Sequence, residues 1–208
     1  MPAVDRREFL KQALLTGAAV ALAGPAAATA VSAAGPGIVD TNVNLFAWPF
    51  RKLKYGDTAA LVAKLKRHRV IEAWAGSFEA LLHKDINGVN ERLAAECRAK
   101  GPGLLRPFGT VNLAWPDWEE DVRRCHEAFN MPGLRIVPGY QPFDLSHPDL
   151  GRLLAVTRER GLLLQVVFGL EDARVHHPAL GLIPVMSGPL ITALKGVPDA
   201  RVQLLYFT

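Results

Sequence analysis

The sequence predicts an α/β fold built on a parallel sheet. Strand-like apolar runs alternate with helical segments along the chain. Strand starts recur roughly every 30 to 35 residues, the length of a βα unit. Residues 162–168 form a continuous apolar run broken only by Gln165, as a strand covered on both faces should read. Two architectures satisfy these observations, an open doubly wound sheet and part of an eight-stranded barrel. No glycine-rich loop follows the first strand, so dinucleotide and P-loop binding have no support, and Gly35-Pro36-Gly37 comes before that strand.

The elements follow in order. Residues 37–45 read as a buried strand, and 58–67 as a helix with Leu61, Val62 and Leu65 at helical spacing. Residues 70–74 make a short strand. Residues 87–100 make a helix with Val89, Leu93, Ala94 and Cys97 on one face. A strand over 104–111 is interrupted by Pro107 and carries Asn112 at its end. Asp117 opens a helix to 129, with Glu119, Glu120 and Asp121 in its first turn, where negative charge suits the helix dipole. A strand over 133–137 stops at Pro138, and a helix over 147–160 stops at Gly161. After the apolar strand come a helix over 187–195 and a strand over 201–207. The total is six strands and five intervening helices.

The first thirty residues indicate where the chain works. Asp5-Arg6-Arg7-Glu8-Phe9-Leu10-Lys11 resembles the twin-arginine export motif of bacteria. A mild apolar run, 13–23, is broken by Gly24-Pro25. Ala28-Thr29-Ala30 fits a cleavage site, and Val31-Ser32-Ala33 is a second candidate. That run is short of the roughly 20 residues of a membrane span. The expected organisation is a signal peptide over 1–30, a linker over 31–36 and one domain over 37–208. The expected location is the periplasm or cell envelope, reached through the twin-arginine machinery.

Composition narrows the partners. The whole chain carries +4, and residues 1–30 contribute Arg6, Arg7 and Lys11 against Asp5 and Glu8. The remaining charge is mildly basic and spread out, so no nucleic-acid stripe is expected. The densest basic cluster, 64–69, reads as the solvated end of a helix. Half the residues are hydrophobic, enough for one sizeable core. Cys97 and Cys125 sit among apolar neighbours and read as buried thiols, with one disulfide as the alternative in an oxidising envelope.

Val39-Asp40-Thr41-Asn42-Val43-Asn44 resembles the first strand of the amidohydrolase-related family of metal-dependent hydrolases. Gly133-Leu134-Arg135-Ile136-Val137-Pro138 is similar to that family's fourth strand, and Glu159-Arg160-Gly161 to the stretch before its fifth. The resemblance covers about residues 37–208. It implies a (β/α)8 TIM-barrel fold with about six βα units present and the C-terminal strands missing. It also implies hydrolase or related decarboxylase chemistry on a small organic substrate, with a divalent metal as the family's cofactor. In the family, histidines bind that metal where Asn42 and Asn44 stand here, and an amide is a poor zinc ligand. No residue is therefore assigned as a metal ligand. A barrel of this kind takes about 250 residues. The chain ends in the apolar Leu204-Leu205-Tyr206-Phe207-Thr208, which suggests a truncated or partial sequence, or a sheet closed by dimerisation.

Candidate site residues follow from the strand ends. Asp40, Asn42 and Asn44 alternate, so they are expected on one inward face. Asp40 and His83 are the candidate acid–base pair. The substrate-binding candidates are Asn42, Asn44, Trp48, Arg51, Arg135, Gln165, Glu171 and His177. A buried Arg135 needs an anion, either a substrate carboxylate or Asp40. The loop with Glu171, Asp172, Arg174, His176 and His177 either reaches the site or is a solvated charged loop. The alternative function is a metal-free, non-catalytic binding protein, or a fragment without function.

Overall fold

The computed structural model describes residues 37–207. The export motif and linker lie outside these residues.

Six parallel strands and five helices alternate: β1 (Ile38–Leu45), α1 (Thr58–Arg67), β2 (Val70–Ser77), α2 (Ile86–Lys100), β3 (Leu105–Pro107), α3 (Trp118–Glu127), β4 (Gly133–Ile136), α4 (Leu150–Glu159), β5 (Leu163–Val167), α5 (Ser187–Gly196) and β6 (Val202–Leu205). Short 3-10 turns at Phe78–Leu81 and Ala173–Val175 were not expected from the sequence. The strands pair as β1-β2-β3 and β4-β5-β6. A parallel bridge from Gly109 to Leu134 joins the two sets. This is the α/β barrel architecture, with five βα units and a sixth strand among the described residues, in strand order β1 to β6.

Local chemistry explains the boundaries. The Asp57 carboxylate accepts the Ala60 N–H at 2.8 Å and the Asp85 carboxylate the Gly88 N–H at 2.8 Å, capping α1 and α2. Asp117 opens α3 through its backbone carbonyl; its side chain makes no cap bond. Gly161 ends the α4 turn at φ +66°, a conformation natural to glycine. The expected strand over 104–111 shrinks to three residues. Pro107 has no N–H for the ladder, and the chain then leaves β2 for β4. Phe108 donates to Ala75 O, while Gly109 donates to Gly133 O. The Asn90 side chain then takes the place of a neighbouring strand, pairing with both backbone groups of Thr110 at 2.8 and 2.9 Å.

Apolar side chains fill three regions. One lies between α1, α2 and the first strands, around Val62, Leu65, Ala73, Ala75 and Leu93. A larger one joins β4 and β5 to α3, α4 and α5. The third, around Trp48, Leu81, Val137, Val167 and Leu205, closes the C-terminal ends of the strands. Cys97 belongs to the first region and Cys125 to the second, and both are free, buried thiols. Burial pushes the Cys97 thiol up to about 12 and raises that of Cys125 as well. No helix among the described residues is long and apolar enough to cross a membrane.

Candidate functional site

The interior of the barrel is polar at mid-height, and Arg135 is its centre. Only 3% of this residue is exposed. Its Nε donates to Gln165 Oε1 at 2.8 Å. Nη1 donates to Val43 O at 2.7 Å and to Asn44 Oδ1 at 2.8 Å. Nη2 donates to Thr41 O at 3.2 Å and Trp74 O at 3.1 Å. All five N–H groups are thereby used. Gln165 is oriented in turn, its Nε2 donating to Thr41 O at 2.9 Å and Gln203 Oε1 at 2.7 Å. Gln203 Nε2 then reaches Thr41 Oγ1 at 2.9 Å, linking β6 to β1 across the interior. Burial lowers the Arg135 pKa to about 10, so the group remains a cation at neutral pH.

Two expectations are corrected here. Arg135 does not pair with Asp40; neutral oxygens satisfy it, and as arranged it has no N–H left for a substrate carboxylate. Nor do Asp40, Asn42 and Asn44 share one inward face. A register shift lies between Asp40 and Val43. Asp40 pairs with Ala73, which packs toward α2, whereas Asn44 pairs with Gly76 and reaches Arg135 inside. One inserted residue reverses the alternation.

The three residues nevertheless meet in one cleft. An opening of about 380 Å³ runs along β1, bordered by Asp40, Asn42, Asn44, Lys54, Tyr55 and Phe78. Asp40 Oδ1 accepts the Asn42 N–H at 3.0 Å. Asn42 Oδ1 is buried without a hydrogen-bond partner among the described residues. Lys54 lies with Nζ 5.6 Å from the Tyr55 ring centroid. Lys54 and Tyr55 escaped the sequence reading, although Arg51-Lys52-Leu53-Lys54-Tyr55 is a basic, aromatic run just past the first strand.

Above the interior, the loops after β1 and β5 lie against each other. Arg51 Nε donates to Glu171 Oε1 at 2.8 Å, and the Phe50 ring stacks on His177 at 4.7 Å. Trp48 packs beneath them against Phe78 and Tyr140, and its Nε1 has no partner among the described residues. Tyr140, which the sequence reading missed, and His176 of the charged loop hold the β5 loop: the Tyr140 hydroxyl accepts from Leu170 N at 3.2 Å and lies 3.4 Å from His176 Nε2. Trp48, Arg51, Glu171 and His177 thus come together at the mouth. His83 does not join them. It is exposed, its Nδ1 3.5 Å from Arg92 Nη2, and it does not border the cleft.

The chain belongs to the amidohydrolase family, whose sequence profile matches residues 16–202. Among curated proteins no sequence matches it. Several solved structures share the fold. The 2,6-dihydroxybenzoate decarboxylase from Rhizobium is 16% identical with a TM-score of 0.55, the match covering 79% of this chain and 66% of that one. The IDCase of Metarhizium anisopliae, solved in apo form, is 16% identical with a TM-score of 0.61, covering 81% and 65%. A dihydroxybenzoic acid decarboxylase from a Polaromonas species, with bound manganese and the inhibitor 2-nitroresorcinol, is 14% identical with a TM-score of 0.56, covering 81% and 64%. This chain therefore spans slightly under two thirds of the length of these structures, and at such identities the likeness is one of fold.

A divalent metal does not fit the residues present. Among the described residues no group of three or more His, Cys, Asp or Glu side chains could hold one. The Asn44 oxygen is already bonded to a guanidinium nitrogen at 2.8 Å. A cation ligated by that oxygen would lie within roughly 5 Å of Nη1, a repulsion of about 7 kcal/mol at an effective dielectric of about 20.

Proposed function

We propose that the chain acts on a small organic acid in the cleft along β1, as a hydrolase or as a decarboxylase of the kind its structural relatives represent. The cleft carries this reading. It brings together a carboxylate, a buried amide oxygen without a partner, a lysine and an aromatic wall. Lys54 makes no ion pair among the described residues and suits a substrate carboxylate, while Tyr55 and Phe78 offer faces for an apolar or aromatic body. Asn42 Oδ1 accepts a hydrogen bond from a substrate N–H or O–H. Asp40, placed beside it, handles the proton. In hydrolysis its carboxylate takes one from the attacking water. In decarboxylation its acid form gives one to the carbon that loses carbon dioxide. Neither step uses His83.

The test is turnover by the purified full chain of a panel of hydroxylated benzoates and small amides and esters, followed by chromatography. Turnover lost in Asp40→Asn supports the reading. Turnover unchanged in that variant removes Asp40 from the chemistry.

A second reading is a metal-free binding protein of the cell envelope. The saturated guanidinium of Arg135 favours it, because the oxygens around it are already hydrogen-bonded to a cation. Calorimetric binding of the same acids without any turnover supports this alternative.

We also propose export through the twin-arginine route, on the strength of Arg6-Arg7 and the small-residue sequence that follows the apolar run. Partners would then be the export machinery and a small-molecule ligand. A homo-oligomer remains part of this proposal, and sedimentation of the purified protein tests it.

A further inference from the structure

We infer that Arg135 is the resident cation of this barrel and that the chain is a metal-independent member of its family. The inference concerns the interior and stands apart from the assignment of a reaction to the β1 cleft.

Four observations build it. First, five oxygens from three strands surround the guanidinium: Thr41 O, Val43 O and Asn44 Oδ1 from β1, Trp74 O from β2 and Gln165 Oε1 from β5. Such a shell of carbonyl and amide oxygens is what a cation requires on leaving water. Second, the space is prepared. A Cβ on Gly76 would lie 2.7 Å from Nη1 and 2.8 Å from Cδ, so only glycine leaves room for Arg135 there. Third, the amide of Gln165 has one workable orientation. Its nitrogen is committed to Thr41 O and Gln203 Oε1, which turns Oε1 toward Nε of Arg135. Fourth, the shell is neutral. It suits a single delocalised charge and offers nothing to compensate two. Zinc and manganese sites recruit imidazole, thiolate or carboxylate, and none of those groups touches the guanidinium among the described residues.

The residue at the position of the family's second histidine, Asn44, therefore faces a side-chain cation rather than a metal. The same contact explains why an amide serves there. An imidazole would place an N–H donor or a protonatable nitrogen against a guanidinium, whereas Asn44 offers a fixed oxygen acceptor at 2.8 Å.

The test uses the purified full chain, dialysed first against Mn²⁺ or Zn²⁺ and then against metal-free buffer. Metal content is read by mass spectrometry, and the unfolding midpoint is read with and without EDTA. The expected result is less than about one tenth of a metal ion per chain, with a midpoint that EDTA does not move. Close to one ion per chain, removed by EDTA with a fall in the midpoint, overturns the inference. A second measurement uses the double variant Asn42→His with Asn44→His. With Arg135 still in place it is expected to remain metal-free by the same criterion. Stoichiometric uptake by a folded double variant would show that the guanidinium does not exclude a metal. If that variant does not fold, the measurement on the unmodified chain decides alone.

Discussion

The guanidinium of Arg135 on β4 donates to the side-chain oxygen of Asn44 on β1 at 2.8 Å, across the barrel interior. The contact joins strands that are not neighbours in the sheet. Through it and its companions, the shape of β1 depends on a residue 91 positions later in the sequence.

Removal of this charge without replacement leaves five oxygens facing an apolar gap. Arg135→Met is expected to destabilise the fold by about 3 kcal/mol or more, since each buried acceptor stripped of its donor costs about 1–3 kcal/mol before relaxation. Urea unfolding of the variant against the parent chain checks this. A loss below about 1 kcal/mol would mean that water replaces the guanidinium freely.

Gly76→Ala tests the same knot from the other side. The new methyl would meet Nη1 and Cδ of Arg135, a buried side chain held by five hydrogen bonds. The expected cost is about 1–3 kcal/mol, the usual range for overpacking. The double variant Gly76→Ala with Arg135→Met should lose less than the sum of the two single losses.

Asp121 in the first turn of α3 sets a pH dependence. Burial pushes its carboxyl up to about 6, with Arg124 opposing and Asp117, Asp85 and Glu120 adding to the rise. The folded chain therefore holds this proton more tightly than the unfolded one. Stability falls as pH rises from about 4 to about 6, and the penalty is complete above that window. Asp121→Asn should stabilise the chain at pH 7.5 by about 1 kcal/mol, after allowance for its partial contact with solvent, and give no gain below pH 4. Unfolding midpoints at the two pH values provide the comparison.

In the cleft, Lys54→Met should weaken binding of an aryl carboxylate by about twofold to fivefold, the order of one exposed charge pair. Unfolding stability should change little, because Lys54 is exposed. Equal affinity in parent and variant would move the carboxylate elsewhere.

Export offers a cellular prediction. Arg6→Lys with Arg7→Lys should leave the longer precursor in the cytoplasmic fraction, where the parent chain gives a shorter form outside it. Identical fractionation of the two would remove the export reading.

Much of the architecture was legible because buried parallel strands leave apolar runs that helices must separate. Val62 with Leu65, and Val89 with Leu93, marked the packing faces correctly. Two things stayed hidden. The register shift between Asp40 and Val43 carries no glycine or proline to announce it, so simple alternation placed Asp40 on the wrong side. Gln203 and Thr41 are ordinary polar residues in sequence; their role arises only when the curvature of the sheet brings β6 opposite β1. Arg135, Gln165 and Asn44 were recognisable as polar residues in buried strands, but their mutual bonding depends on a glycine at position 76 in a fourth strand. The mouth residues could be grouped only by loop contacts such as Arg51 with Glu171, which lie 120 positions apart.

The link from Thr41 to Gln203 also bears on the order in which the chain acquires its structure. Its partners are separated by 162 positions, and Gln165 reaches Thr41 over 124. Helices and adjacent βα units assemble from neighbours, but these bonds close very long loops. During synthesis β1 emerges first and waits for β4, β5 and finally β6 before its interior groups are all satisfied. The early chain thus carries a polar strand whose final neighbours are still inside the ribosome, and formation of the arginine-centred network should be the last and slowest phase of folding.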